Sequence, residues 1–219
     1  PYEVHKGETQ ALFEKWMEKC KKLSAKSNIY EFKQSIYDMV REFENIALDT
    51  SVQKPKVGIV GEILIKYHPF GNNYIAQTLE DEGAEVVLPD FMGFVKYVAA
   101  NKLAFKDLLN KDKSKSGIYN VVIKLIQILE RTPYEALKNS KKNYLLPSDI
   151  SVLADKVKDI LSTGNQTGEG WFLTAEMVEL IKDGINNIVC VQPFACLPNH
   201  IVGKSVIKKL RALYKESNI

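Results

Sequence analysis

Between residues 8 and 25, Leu12, Phe13, Trp16, Met17, Cys20 and Leu23 recur three or four apart. Glu14, Lys15, Glu18, Lys19 and Lys22 fall elsewhere on the wheel, so the spacing predicts an amphipathic helix. A second helix is expected from Asn28, whose side chain suits an N-cap. It carries Phe32, Ile36, Met39, Val40, Phe43 and Ala47 on one face, up to the break at Asp49-Thr50-Ser51. The two make an N-terminal helical hairpin over residues 1–53. After Pro55 the period changes. Lys56-Val57-Gly58-Ile59-Val60-Gly61 is a short apolar, β-branched run of the kind buried in a parallel sheet. A loop through Tyr67-His68-Pro69-Phe70-Gly71 leads to a helix over 72–82 that stops at Gly83, and Ala84–Pro89 reads as a second strand. Strand, helix and strand form a βαβ unit with parallel neighbours.

From Asp90 to Ser162 the pattern is helical, with stripes over 94–109, 121–129 and 152–161. KDKSKSG, Pro133 and Pro147 punctuate it. An insertion this long, about 91–162, is expected to form a cap or subdomain of an α/β domain spanning 54–219. The glycine-rich loop Gly164-Asn165-Gln166-Thr167-Gly168-Glu169-Gly170 feeds a helix from Trp171 to Asp183. Asn187–Val191 is the third strand, and Pro198-Asn199 opens a last helix through Tyr214. The alternation is that of the α/β class.

The chain has 219 residues, 45% apolar, 10% aromatic and 26% charged, an ordinary globular composition. Thirty Lys and Arg against 27 Asp and Glu give no electrostatic reason to expect nucleic acid or an anionic membrane as partner. Three cysteines, at positions 20, 190 and 196, make no disulfide framework and fit a reducing, cytoplasmic setting. No segment reads as a membrane span or export signal. The chain opens on Pro, and its three strands are few for a doubly wound sheet, so it reads as a piece of something longer.

Ligands of open α/β sheets gather beyond the carboxyl ends of the strands. Three segments lie there: Gly61-Glu62 with Tyr67-His68-Pro69, the loop 164–170, and Gln192–His200. In the last, Pro193 and Pro198 stiffen a short loop that sets Cys196 just ahead of a helix N-terminus, a position that favours thiolate. The same spacing fits Cys196 as a small apolar filler. Cys190 and Cys20 read as core. His68 and His200 lie at the ends of different strands and could meet Cys196 in one cleft as base and nucleophile, although a turn histidine satisfied by backbone or solvent is the plainer reading. Glu62 follows the first strand and Glu169 sits between two glycines, so either could orient a ligand. Gly203-Lys204-Ser205 is no P-loop, because Pro198 stands where the first glycine is required.

Together, PKVGIVGEILIKYHPFGNN, GNQTGEGWFLTAEMVELI and NNIVCVQPFACLPNHIVGK resemble the dehydratase-like region of 2-hydroxyglutaryl-CoA dehydratase-related proteins, a bacterial family found in long CoA-substrate-specific enzyme activase chains. The resemblance runs from about Pro55 onward, with PYEVHKGE adding to it at the start. It implies a Rossmann-like or flavodoxin-like three-layer α/β fold and a [4Fe–4S] cluster held by cysteines of separate domains. It further implies an ATP-dependent activator that supplies a low-potential electron, and a lyase reaction in which an acyl-CoA substrate, a 2-hydroxyacyl-CoA, loses water through a ketyl radical. Carried over, Cys196 is the metal ligand. Glu62 and His200 stand as catalytic neighbours, and Glu169, Trp171, Gln192 and Asn199 as substrate-binding positions. A four-iron cluster needs several thiolates, so further ligands are expected from other domains of a parent chain, with this piece binding no cofactor alone. Two other readings stay open: a flavodoxin-like binding or scaffold domain, and a cysteine-nucleophile enzyme.

Overall fold

The computed structural model describes residues 1–25, 28–109 and 116–219. Strands β1 (Lys56–Gly61), β2 (Glu85–Val87) and β3 (Asn187–Val191) form a parallel sheet in the order β2-β1-β3. All three apolar runs are strands, β2 being shorter than the 84–89 expected. β1 pairs through Lys56–Gly58 with β2 and through Val57–Gly61 with β3, so the strand with neighbours on both edges is the one buried over its last four residues. At the free edge of β3, Asn187 makes a single parallel bridge to Asn218.

Helices α1 (Glu8–Ser24) and α2 (Ile29–Glu44) precede the sheet. Asn28 caps α2 as expected, its side chain accepting from the backbone N–H groups of Tyr30 and Glu31. The α1 stripe is only partly used: Trp16 and Leu23 are buried, whereas Phe13 and Met17 are exposed. Helices α3 (Ile63–Tyr67) and α4 (Ile75–Asp81) link β1 to β2. Between β1 and the loop expected at 67–71, the Glu62 carboxylate accepts from the Ile65 N–H and caps a short helix. The next helix starts at Ile75 rather than 72, because Asn73 and Tyr74 adopt left-handed backbone and the Asn72 side chain accepts from the Ile75 N–H.

Among the described residues four helices lead from β2 to β3: α5 (Phe91–Leu109), α6 (Ser116–Lys138), α7 (Ile150–Val157) and α8 (Gly170–Lys182). Most of the KDKSKSG break lies outside the described residues. Pro133 does not break the pattern, as α6 runs through it with Ile126 and Ala136 buried on either side to hold both arms in place. After β3 come α9 (Leu197–Asn199), a π-helical turn (His200–Lys204) and α10 (Ile207–Leu213), so the single expected last helix changes its winding midway.

Two compact units emerge. A helical unit comprises Tyr2–Gln53 and Lys124–Leu146; an α/β unit comprises Pro1, Lys54–Ile123 and Pro147–Ile219. In the helical unit α1 packs on α2, and the Trp16 indole N–H donates to Glu42 Oε2 at 3.0 Å. In the α/β unit α8 is the core element, buried from Gly170 through Val178 and again at Leu180 and Ile181. Leu173, Met177 and Val178 pack with Val60, Ile188, Val202 and Leu210. Trp171, Phe172 and Ala175 pack with Tyr97, Leu153 and Val157. A helix apolar on nearly every side must be covered on nearly every side. Each fully buried apolar side chain contributes about 1.5–3 kcal/mol. Among the described residues no helix is long and apolar enough to cross a membrane.

Candidate functional site

Three loops meet beyond the carboxyl ends of β1 and β3. The first begins at Gly61, whose backbone has φ +146° and passes so close to β3 that an added Cβ would lie 1.9 Å from Val191 O. The Glu62 N–H donates to that same carbonyl at 3.0 Å, fastening the exit of β1 to the exit of β3. The Ile63 N–H donates to Glu169 Oε1 at 3.1 Å, which ties this loop to the glycine-rich loop. Glu169 is buried, and its second oxygen accepts from Asn199 Nδ2 at 3.1 Å. Asn199 Nδ2 also donates to Cys196 Sγ at 2.9 Å. A chain of polar contacts thus runs from Ile63 through Glu169 and Asn199 to Cys196, joining all three segments singled out in the sequence.

Asn199 is fully buried, and its Oδ1 has no hydrogen-bond partner among the described residues. Exchanging oxygen and nitrogen would face Oδ1 against the Glu169 carboxylate, so the carboxylate fixes the amide with its N–H groups toward Cys196. Cys196 itself is half-buried and occupies the N-cap of α9, with Pro198 in the first turn. The residue before it, Ala195, has φ +60°, a left-handed conformation uncommon for a side chain bearing Cβ. Four residues after Cys196 the π-helical turn begins, with the Ser205 N–H donating to His200 O. Such single π turns are frequent at functional sites.

The remaining expected residues are placed as follows. His200 is exposed, and its backbone N–H donates to Cys196 O. His68 Nδ1 accepts from the Gly71 N–H, and the ring lines an apolar groove with Ile63, Leu64, Tyr67 and Phe91. Gln192 Nε2 donates to Cys190 Sγ at 3.1 Å, and burial pushes that thiol up. Trp171 lies in the aromatic cluster, its ring 5.3 Å from that of Tyr97 and its indole N–H donating to Asn101. Tyr97 in turn donates to the carbonyls of Gln166 and Gly168, bracing the glycine-rich loop from below, and burial pushes its phenol up to about 12.

Sequence reasoning missed a buried ion pair. Lys66 Nζ lies 2.7 Å from Glu176 Oε1, and both side chains are almost wholly out of water. Burial pushes the Glu176 carboxyl up to about 7; Asp90 and Glu169 add to the rise, while Lys66 opposes it. Burial also raises the phenol of Tyr67, whose hydroxyl donates to Pro89 O and whose ring lies 4.9 Å from Lys66 Nζ. The signal available was two acids, Glu176 and Glu179, in the apolar run WFLTAEMVELI and a single base in ILIKY.

Among the described residues no three His, Cys, Asp or Glu side chains converge to hold a metal ion. Comparison with known protein families, with curated proteins and with solved structures finds no match to this chain.

Proposed function

We propose that this chain is a Rossmann-like or flavodoxin-like α/β piece of an iron–sulfur, ATP-activated 2-hydroxyacyl-CoA dehydratase- or reductase-like protein, to which it contributes Cys196 as one ligand of a [4Fe–4S] cluster. The observation that carries this reading is the placing of Cys196: a half-buried sulfur beyond the end of β3, held as hydrogen-bond acceptor by an asparagine that a buried glutamate orients. Hydrogen bonds donated to a thiolate ligand orient it and tune the metal it binds. The cluster, when bound, would supply low-potential electron transfer. The described residues do not fit a complete cluster site, since no three His, Cys, Asp or Glu side chains among them converge. The remaining ligands, the ATP-dependent activator and the rest of the acyl-CoA cleft belong to other domains in this reading. Glu62 and His200 are its proposed catalytic neighbours, and Glu169, Trp171, Gln192 and Asn199 its proposed substrate-side positions.

Anaerobic reconstitution of the longer parent protein with iron and sulfide tests the reading. Cluster absorbance that is present in the native protein and lost in Cys196→Ala is the expected result. A native parent that binds no iron, or an alanine variant that keeps the full cluster, overturns it. A second reading, a non-catalytic docking domain, is favoured by the full exposure of Phe194 and the 68% exposure of Leu197 on either side of Cys196. A parent that binds no iron would leave that reading standing.

A further inference from the structure

Helix α3 is fastened to α8 at two points. The Ile63 N–H donates to Glu169 Oε1 at 3.1 Å, and Lys66 Nζ donates to Glu176 Oε1 at 2.7 Å. Glu169 and Glu176 lie seven positions apart, about two turns of helix, so both carboxylates project from one side of α8. Glu169, Glu176 and Lys66 are all buried. A helix of five residues does not hold its own place, so α3 sits where its ties put it. At its start the Glu62 N–H on Val191 O fixes where the helix begins but leaves its axis free to swing. At its end the Tyr67 hydroxyl donates to Pro89 O, and Lys66 binds Glu176. The ion pair is the stronger of these end ties, because breaking it leaves an uncompensated charge out of water. First-turn N–H groups point along a helix axis, so the aim of the Ile63 N–H follows the axis that Lys66 sets.

We propose that Lys66 and Glu176 are positioning residues for the Cys196 site: the pair fixes the axis of α3, the axis aims the Ile63 N–H at Glu169, and Glu169, satisfied on that oxygen, leaves the Asn199 amide free to serve the Cys196 sulfur. Asn199 Nδ2 has two hydrogens and two acceptors, Glu169 Oε2 at 3.1 Å and Cys196 Sγ at 2.9 Å. With the Ile63 N–H withdrawn, Glu169 keeps a buried oxygen without a donor, a costly state. The Asn199 amide already bound to that carboxylate turns further toward it. Sulfur is the weaker acceptor and loses its hydrogen bond. The relay deepens the reading of Cys196 as a ligand tuned by a donated hydrogen bond, and its use rests on that reading. The relay itself consists of this chain's own groups and is read without metal.

The side-chain amide of Asn199 reports the relay in NMR of the isotope-labelled full chain, where its signal is identified by its loss in Asn199→Ala. Lys66→Met is expected to speed hydrogen exchange of the Asn199 proton that faces Cys196 about tenfold, the loss of one hydrogen bond. Lys156→Met, which breaks a second ion pair on α8, at Glu179, should leave that exchange unchanged, which separates the relay from a general loosening of α8. In a Glu169→Gln background, where no carboxylate competes for the amide, Lys66→Met should add nothing. If Lys66→Met fails to fold, the apolar replacement Lys66→Met with Glu176→Leu fills the same space without charge and should show the same rise. Exchange that is unchanged by loss of the pair, an equal rise in Lys156→Met, or a full further rise in the Glu169→Gln background overturns the proposal. A parent protein that binds no iron while the Asn199 signal behaves as expected overturns the cluster reading and leaves the relay in place.

Discussion

Asn199 is the residue on which the three-loop site turns, since one buried amide nitrogen serves both Glu169 and Cys196. Asn199→Ala leaves the Glu169 oxygen without that donor, and a buried unsatisfied acceptor costs about 1–3 kcal/mol. Asn199→Asp is isosteric but sets a second carboxylate against the first and should cost more, about 3 kcal/mol or above. Urea unfolding at neutral pH checks the order. An aspartate variant as stable as the alanine variant would mean that no Asn199–Glu169 hydrogen bond exists. The identities of these residues were legible from the sequence, because each lies beyond a strand end where α/β ligands collect. Their mutual contacts were not. The bonds from Ile63 to Glu169 and from Glu169 to Asn199 cross 106 and 30 residues of chain, and no local pattern encodes such distances.

At the scale of elements, the glycine-rich loop shows which glycines matter. Gly170 begins α8 with φ +49°, and an added Cβ would lie 2.2 Å from both Asn165 O and the Tyr97 hydroxyl. Gly83, after α4, also has positive φ at +92°, yet an added Cβ there meets nothing within 4 Å. Gly83→Ala should therefore cost only backbone strain, about 1 kcal/mol, whereas Gly170→Ala adds a clash with backbone and should cost about 3 kcal/mol or more. Thermal melts of the two variants distinguish the cases, and equal melting temperatures would sink the reading of the loop as sterically closed. The sequence marks both as helix-boundary glycines and cannot rank them, because the atoms crowding Gly170 include a tyrosine 73 positions away in the chain.

Across the whole molecule, stability is concentrated on α8. Leu173 is fully buried, and Leu173→Ala should cost about 2–5 kcal/mol. Leu125, on the helical insertion, is 55% exposed, and its truncation should stay within about 0.5 kcal/mol. Denaturant midpoints test the contrast; a comparable loss at both sites would show that α8 is not the centre of the core. The sequence by itself determined the α/β class, the three parallel strands and most of the helices, because periods of two and of 3.6 residues are local and survive without neighbours. It also marked the strand ends where Glu62, Glu169 and Cys196 gather. Only the tertiary structure decided that α8 is covered on nearly every side, that residues 124–146 group with the N-terminal helices, and that Lys66 and Glu176 are paired out of water. Burial is a property of what surrounds a residue, and those surroundings come from parts of the chain that no window of sequence contains.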